Sequence, residues 1–394
     1  MNQVFRTQQS KIYHALCLTL SERIDQVDWV SFSLEEWTNF ANLAQLEGVA
    51  PLIHWTLKHE DISGIDIPLT VKAQLMAAFY NTTAQNQVMF QELERILDVF
   101  NETDIPVIVL KGAALAATVY PEISLRPMGD LDLLVPKDKI NQANQCLNAL
   151  GYTDAKPHLS EKLNRKIGHH IELRGGPNGS VMVELHWSLI AGDVDVRTAS
   201  MDWFWERTTT WEENETVLLL NPTANLLYLS AHLMLQHGGA QSRLIWFVDL
   251  DRILRHKQTL INWADLITTT KEHHWELPLL YSIEELEYRL DTPLPGYPIE
   301  EGISSENKIT DLLVNRKANL PLTAANRNIT KLIGLNWPSR IHYFFVKLFP
   351  HPDFMRWYYK PKPGWIWPLL YPYRWLRLLA SIPETINQFR IAKR

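Results

Sequence analysis

The sequence predicts an α+β protein in which a small sheet-containing core lies between two regions of helices. Three observations predict this class. Apolar residues recur at helical spacing in the first hundred residues, short β-branched or alternating runs follow between residues 105 and 187, and helical spacing returns after Asn221. We therefore expect a helical region over residues 1–100, an α/β core over 101–215, a second helical region over 216–350 and an aromatic, basic tail over 351–394.

The N-terminal region is predicted to contain at least three helical pieces. Apolar side chains recur at helical spacing around residues 43–53 and again around residues 93–100. Pro51 and the stretch 62–68, which contains glycine and proline, interrupt this pattern.

The core is predicted as strand, helix, strand, helix and hairpin. A strand is indicated where a short apolar run is rich in β-branched residues, and a hairpin where two alternating runs flank a turn rich in glycine and asparagine. The predicted elements are strands over 105–110 and 131–135, helices over 113–119 and 137–150, and hairpin strands over 169–174 and 181–187.

Helices are predicted again in the C-terminal region. Asn221 is a good helix cap and Pro222 suits a first helical turn, so a helix should begin there and end near Gly238. A second helix is expected over 243–255, with others to about residue 290.

Composition limits the class of function. The chain has 394 residues, 46% of them hydrophobic, and a net charge of -6, so we expect a folded protein and do not expect nucleic acid as a partner. Cys17 and Cys146 show no metal-binding or redox spacing. No signal peptide and no apolar run of membrane-spanning length are recognised, which predicts a cytoplasmic protein.

Asp130 and Asp132 are the first candidate site residues. Residues two apart in a strand point to the same side, so these carboxylates lie together while Leu131 and Leu133 face the core. Two adjacent carboxylates repel each other and need a compensating charge. Mg²⁺ commonly supplies this charge, because it binds carboxylate oxygens together with substrate phosphates.

A third acid is expected from the second hairpin strand. Glu184 stands in an otherwise apolar run, where a charged residue is rare unless it is paired or binds a ligand. His186 lies on the same face of this strand. Glu184 is therefore a candidate metal ligand. For His186, taken alone, a structural role is the better-supported interpretation.

Phosphate binding requires donors as well as a metal. Lys111 and Gly112 follow a buried strand and precede a predicted helix, where backbone N–H groups meet anions readily. Arg126 lies in the loop that enters the second strand and is a further phosphate-binding candidate. The alternative for Arg126 is an exposed cation of that loop.

Several sequence blocks resemble the bacterial "uncharacterised nucleotidyltransferase" family of the polymerase-β-like superfamily. The blocks are VIVLKGAAL (107–115), RPMGDLDLLV (126–135), VELHW (183–187), His232, His237, RLIWFVD (243–249) and WAD (263–265). The similarity extends over roughly residues 40 to 350.

This resemblance implies a minimal nucleotidyltransferase fold with a small mixed sheet, flanked by helical segments. It also implies two-metal chemistry, in which Mg²⁺ ions, or Mn²⁺ as the alternative, bind the phosphates of a nucleoside triphosphate. By position, Asp130 and Asp132 match the paired aspartates of the family, Glu184 matches the third acid, and Lys111 with Gly112 matches the Lys-Gly block.

The chain departs from the wider superfamily after Gly112. There the glycine is usually followed by serine or a second glycine and lies closer to the first aspartate, whereas here Ala113 follows and 16 residues separate it from Asp130. Because Ala113 has no hydroxyl, backbone amides, Lys111 and Arg126 would have to supply the phosphate contacts.

His186, His232 and Asp249 are candidates for positioning the acceptor or supporting the metal ligands. His232 and His237, five residues apart, would lie about 140° apart on one helix, which is poor geometry for a shared metal. For His232 the simpler role is a histidine that lines a cleft or caps its helix. Asp249 has a simpler alternative as well, an ion pair with Arg243 or Arg252.

The aromatic, basic segment 365–377 has two interpretations. Its Trp, Tyr and Arg residues suit a membrane interface, and they equally suit packing onto the rest of the protein. We favour packing, since Pro368 and Pro372 argue against one continuous amphipathic helix.

The leading functional hypothesis is an enzyme that transfers a nucleoside monophosphate from a nucleoside triphosphate to an unidentified acceptor hydroxyl. A second hypothesis is a non-catalytic nucleotide-binding or accessory protein on the same fold. A more distant third is a metal hydrolase that uses His232, His237 and Asp249.

Overall fold

One mixed sheet of seven strands and its flanking helices form the part of the chain that the structure describes. The structure is a computed structural model, and it describes residues 2–60, 65–158, 160–191, 201–211, 214–237, 239, 242–294, 332 and 335–380. The predicted α+β class, with a small mixed sheet between helical regions, is confirmed.

The strands of the sheet follow the order β3-β4-β5-β2-β1-β7-β6. They are β1 (Ile108–Leu110), β2 (Leu131–Leu134), β3 (Thr153–Asp154), β4 (His170–Gly175), β5 (Val181–His186), β6 (Thr208–Trp211) and β7 (Asn214–Leu220). The pairs β2–β5 and β1–β7 are parallel, and the other pairs are antiparallel. The central strands β1 and β2 are buried throughout, whereas β5 alternates buried with partly exposed residues.

The N-terminal helices are α1 (Asn2–Leu20), α2 (Leu34–Leu46), α3 (Ala50–His59) and α4 (Leu69–Glu102). Helix α2 begins with a capping box, in which the Ser33 side chain accepts from the Glu36 backbone and the Glu36 carboxylate accepts from the Ser33 N–H. Pro51 lies in the first turn of α3, where its missing N–H costs no hydrogen bond. The prediction of at least three helical pieces is confirmed.

In the part of the chain that the structure describes, four short helices accompany the sheet and seven more follow it. The helices of the sheet region are α5 (Lys111–Thr118), α6 (Ile140–Ala149), α7 (Glu161–Ile167) and α8 (Met201–Glu206). The later helices are α9 (Pro222–Leu235), α10 (Leu244–Lys257), α11 (Trp263–Glu272), α12 (Glu276–Leu290), α13 (Trp337–Leu348), α14 (Pro352–Tyr359) and α15 (Leu370–Ala380). Asn221 caps α9 through its side chain, as predicted.

Two main clusters of buried apolar side chains stabilise the described part of the chain. One is formed largely by the N-terminal and C-terminal helices, and the other by the sheet with α4, α5 and α6. Helix α4 belongs to both, since Leu75 lies in the first cluster while Leu93 and Phe100 lie in the second. This shared helix holds the sheet against the helical part.

The structure differs from the sequence prediction at several places in the core. Strands β3, β6 and β7 and helices α7 and α8 were not predicted, and β7 runs through the predicted boundary between residues 215 and 216. Helix α5 begins at Lys111 rather than at Ala113, with Leu110 as its cap. Leu219 and Leu220 of β7 are apolar and buried, but the run that contains them is too short to distinguish a strand from the start of the next helix.

The aromatic, basic segment is partly packed and partly exposed. Helix α13 packs on α7 through a small apolar cluster that includes Leu163, Ile167 and Tyr343. The Trp375 indole N–H donates to the Leu348 carbonyl at 2.9 Å, while Trp365 remains largely exposed. In the described residues, no helix has the length and hydropathy needed to cross a bilayer.

Candidate active site

Three neighbouring strands place polar side chains on one face of the sheet. In the register of the sheet, Asp132 on β2 lies opposite Glu184 on β5, and Glu184 lies opposite Glu172 on β4. On the same face, His170 of β4 lies opposite His186 of β5. The predicted meeting of the Asp132 strand with the Glu184 strand is thus what the structure shows. We call Asp130, Asp132 and Glu184 the acidic face.

Asp130 immediately precedes β2 and is partly exposed, whereas Asp132 is buried. Leu131 is completely buried on the opposite side of the strand, as the alternating pattern predicted. Burial and the negative charges of Asp132 and Glu184 raise the pKa of Asp130 to about 6. This direction is the expected result of crowding like charges in a poorly solvated place.

Lys111 supplies a positive charge to the acidic face. Its Nζ lies 2.7 Å from Oδ1 of Asp132 and 3.7 Å from Oε2 of Glu184. Burial opposes the charge on Lys111, but the neighbouring Asp132 carboxylate raises the pKa of the lysine above its usual value. Burial would also raise the pKa of Asp132, and it is the Lys111 ammonium that holds this pKa below its ordinary range.

The backbone of Lys111 is strained. Its φ of 45° lies in the left-handed region, which costs a residue with a side chain roughly 1–2 kcal/mol. This conformation occurs where β1 ends and α5 begins without an intervening loop, and it is accompanied by the contact of the side chain with Asp132. Strain of this kind is found preferentially at functional sites.

His186 connects the two buried acids. It is completely buried, and its Nε2 lies 3.0 Å from Oδ1 of Asp132 and 3.3 Å from Oε2 of Glu184. Within the described residues, the other ring nitrogen, Nδ1, has no hydrogen-bond partner. A buried polar atom left without a partner costs about 1–3 kcal/mol. His186 therefore touches the acidic face directly, which the sequence alone did not favour.

The loop before Asp130 is held from two sides. The Gln85 side-chain amide of α4 donates to the Met128 carbonyl at 2.6 Å, and that of Asn86 donates to the Arg126 carbonyl at 2.9 Å. On the other side the loop lies directly on Gly112, where a Cβ would come within 2.7 Å of Arg126 Nη1. Glycine at position 112 is thus explained by the close approach of this loop.

Arg126 is buried and paired with Asp249, so the alternative interpretation of an exposed loop cation is wrong. Its Nη2 donates to Oδ2 of Asp249 at 2.7 Å, its Nε to Oδ1 at 3.3 Å, and its Nη1 to the Pro127 carbonyl at 3.1 Å. The Tyr120 hydroxyl donates to the same carboxylate at 2.7 Å. Asp249 pairs with Arg126, and the predicted partners Arg243 and Arg252 were the wrong choice.

His232 and His237 contact each other, contrary to the prediction from helical geometry. Helix α9 ends at Leu235, so His237 lies beyond it and its ring centroid comes within 4.4 Å of that of His232. His232 is buried, and this burial together with the charge of Lys111 lowers its pKa well below the usual value. The ring at position 232 is therefore neutral near pH 7.

Four side chains near the acidic face were not identified from sequence. They are His169, His170, Glu172 and Tyr228. His170 and Glu172 alternate with apolar residues along β4, as Glu184 and His186 do along β5. This matching alternation was the available signal. Tyr228 comes from α9, and nothing in its local sequence indicates that it lies near Lys111.

Three sets of side chains in the described residues bring metal-binding atoms within 4.8 Å of one another. They are Asp132–Glu184–His186, His170–Glu172–Glu184 and His169–His170–His186. The first set combines two carboxylates with an imidazole whose Nε2 lies beside both, and oxygen and imidazole nitrogen are ligands that fit a divalent cation. The predicted ligand Asp130 is in none of these sets within the described residues, although its raised pKa reflects the charges of Asp132 and Glu184.

Comparison with known proteins gives one positive result. A family model described as "Uncharacterised nucleotidyltransferase" matches residues 33–290, about two thirds of the chain. The match includes the sheet, the acidic face and helices α9 to α12. No curated protein and no solved structure matches the chain.

Proposed function

The chain belongs to the uncharacterised nucleotidyltransferase family, and we propose that it is a Mg²⁺-dependent enzyme that transfers a nucleoside monophosphate from a nucleoside triphosphate to an acceptor hydroxyl. One observation carries this proposal: Asp132 and Glu184 lie opposite each other on adjacent strands, with Asp130 at the start of one of them. Together these side chains provide the carboxylates that two-metal transfer requires.

The charges of the acidic face support metal binding. Three carboxylates face the single ammonium of Lys111, and the pKa of Asp130 is raised to about 6 by burial and by its acidic neighbours. Asp130, Asp132 and Glu184 would hold Mg²⁺, with Mn²⁺ as the alternative. When bound, the metal neutralises the nucleotide phosphates and the leaving pyrophosphate and lowers the pKa of the attacking hydroxyl.

Among the predicted phosphate-binding residues, Lys111 is the one best placed for this role. Its side chain is 15% exposed and its ammonium lies beside the carboxylates, so we expect it to contact an anion that binds there. Gly112 is covered by Arg126 and Met128, and Arg126 is paired with Asp249. We propose that these two residues shape the loop before Asp130, and that Asp249 and His232 act on the site through the surrounding packing.

The test is nucleotide turnover by an Asp130→Asn/Asp132→Asn variant. Magnesium-dependent consumption of each nucleoside triphosphate is measured against a panel of hydroxyl acceptors. Without its carboxylate ligands the metal would no longer stabilise the transition state, a contribution of several kcal/mol. Turnover should therefore fall on the order of 1,000-fold or more. Asp138→Asn, an exposed change beyond the other end of β2, is the matched control and should retain turnover. Equal turnover in the wild type and the double variant would overturn the proposal.

A second candidate function is nucleotide binding without catalysis. The observation that favours it is the Lys111–Asp132 contact of 2.7 Å, which neutralises a buried acid from within the protein. Calorimetry separates the two functions. The enzyme should bind Mg²⁺ and nucleotide cooperatively and release pyrophosphate, whereas a binding protein should take up nucleotide and release none.

A further inference from the structure

Beside the acidic face, three imidazole rings converge. The ring centroids of His169 and His170 are 4.1 Å apart, and each lies near that of His186, at 5.4 and 5.0 Å respectively. One nitrogen from each ring lies within 4.8 Å of a nitrogen of the other two. Three imidazoles around one tetrahedral metal have centroids roughly 5 Å apart, given metal–nitrogen bonds of about 2.0–2.1 Å.

Carboxylates orient two of these rings. An ionised carboxylate only accepts hydrogen bonds, so Nε2 of His186, which lies 3.0 Å from Oδ1 of Asp132, must carry the proton of that contact. Nε2 of His170 lies 3.5 Å from Oε1 of Glu172 in the same way. A carboxylate behind an imidazole fixes its tautomer, as is usual for metal-binding histidines. The opposite nitrogen of His170, Nδ1, lies 2.9 Å from Nε2 of His169, and a metal ion bound to both would take the place of the proton between them.

The nitrogen opposite the carboxylate is the unusual atom in His186. Its Nδ1 is completely buried and, within the described residues, accepts or donates no hydrogen bond. A second proton at Nδ1 would find no acceptor there. A metal ion supplies this lone pair with a partner, and the two neighbouring imidazoles provide further ligands for the same ion.

We propose that His169, His170 and His186 form a binding site for one divalent transition-metal ion of the zinc type, distinct from the carboxylate site for Mg²⁺. Neutral imidazole is a ligand of Zn²⁺, Co²⁺ and similar ions, whereas Mg²⁺ prefers oxygen. Three protein ligands leave a coordination position for water or a substrate atom. Because this site uses only imidazole ligands, the proposal does not depend on nucleotidyl transfer.

The test uses Co²⁺ as a spectroscopic probe and Zn²⁺ as its competitor. Purified protein is stripped with a chelator and titrated with Co²⁺ in the absence of nucleotide. The wild type should take up one equivalent with the visible absorption of Co²⁺ bound to imidazole, and one equivalent of Zn²⁺ should abolish the signal. A large excess of Mg²⁺ should leave it unchanged.

Variants assign the site. His169→Ala/His170→Ala should weaken Co²⁺ binding by more than about 100-fold, beyond the 10–100-fold loss that follows removal of a residue supporting a metal ligand. His170→Asn, a smaller change, covers the case in which the double variant does not fold. Asp130→Asn and the exposed His59→Ala should retain the spectrum.

Two results would overturn this inference. One is folded wild-type protein that takes up no stoichiometric Co²⁺ or Zn²⁺. The other is an unchanged spectrum in the folded His169/His170 variants, or its loss in Asp130→Asn, because either would place the metal on other residues. Neither result bears on Mg²⁺-dependent turnover, so failure here is distinguishable from failure of the proposed function.

Discussion

Two groups of charged side chains meet the loop before Asp130, one at each end, and they differ in how their charges balance. Arg126 and Asp249 form an ion pair in which each guanidinium nitrogen donates one hydrogen bond, two of them to the Asp249 carboxylate, and Tyr120 donates to the same carboxylate. The acidic face has three carboxylates, and among the described residues Lys111 is the one permanent cation with an ion pair to them.

The Arg126–Asp249 pair stabilises the structure, whereas the acidic face retains negative charge to which a cation can bind. Arg126 and Asp249 come from segments 123 residues apart and join the loop of the sheet region to helix α10. A buried ion pair whose charged atoms are hydrogen-bonded is not expected to exchange partners. The acidic face retains uncompensated charge, and such charge is the usual mark of a site where a cation binds.

The largest effect on stability is expected for Asp249→Ala. It leaves the Arg126 guanidinium buried without its carboxylate, which should lower the free energy of unfolding by about 3–5 kcal/mol, measured by urea denaturation. The double variant Arg126→Met/Asp249→Leu should lose less, since no charge is left unpaired. If Asp249→Ala unfolds at the wild-type urea concentration, the pair is not a structural support. Full turnover by the folded variant would exclude Asp249 from positioning the acceptor.

A smaller loss is expected for Lys111→Met. Methionine keeps the length of the side chain and removes its charge, but His186 still contacts Asp132, so the loss should be about 1–3 kcal/mol. Mg²⁺ should restore more stability to this variant than to the wild type, because a bound cation replaces the lost ammonium. Thermal unfolding with and without Mg²⁺ measures both quantities. An absence of any Mg²⁺ effect in the variant would argue against a cation site at the acidic face.

Gly112→Ala tests the close packing of Gly112, which follows Lys111 of the acidic face, against Arg126. The added methyl would lie 2.7 Å from Arg126 Nη1 and 3.1 Å from Met128 Cγ, so we expect overpacking that costs about 1–2 kcal/mol. Gly129→Ala is the matched control, because a Cβ there meets nothing within 4 Å and stability should change by less than about 0.5 kcal/mol. Equal unfolding temperatures for the two variants would contradict the close approach.

The smallest effect is a pH dependence that Asp130 contributes. Its pKa is raised from 3.8 to about 6, so between these pH values the folded protein holds a proton that the unfolded chain has released. Stability without divalent cation should therefore fall as pH rises through this window, and Asp130→Asn should remove that contribution. The effect is modest because Asp130 is partly exposed. Unfolding temperatures from pH 4 to 7 in chelator measure it, with Asp138→Asn expected to follow the wild type.

The sequence predicted those features that depend on local pattern. The strands that contain Asp132 and Glu184 followed from apolar alternation, and the helix after Asn221 followed from its cap. The same alternation in β4 would have indicated His170 and Glu172 had it been applied to both hairpin strands.

Features that depend on distant contacts could not be predicted in this way. The Arg126–Asp249 pair and the Lys111–Asp132 contact join residues whose separation along the chain says nothing about their distance in the fold. The end of α9 before His237 depends on a turn beyond Leu235, and this turn brought together two rings that helical geometry had placed apart.

The long helix α4 has a consequence for how this protein can be divided. With 34 residues it is about 50 Å long, enough to reach through both main apolar clusters. Its first half packs with the N-terminal helices, its last turns cover the sheet, and Gln85 and Asn86 near its middle hold the loop before Asp130. A fragment cut at residue 101 would expose the apolar surface that α4 covers and release that loop. The sheet-containing fold of this family member is therefore expected to be inseparable from its N-terminal helices, and a shortened expression product should aggregate.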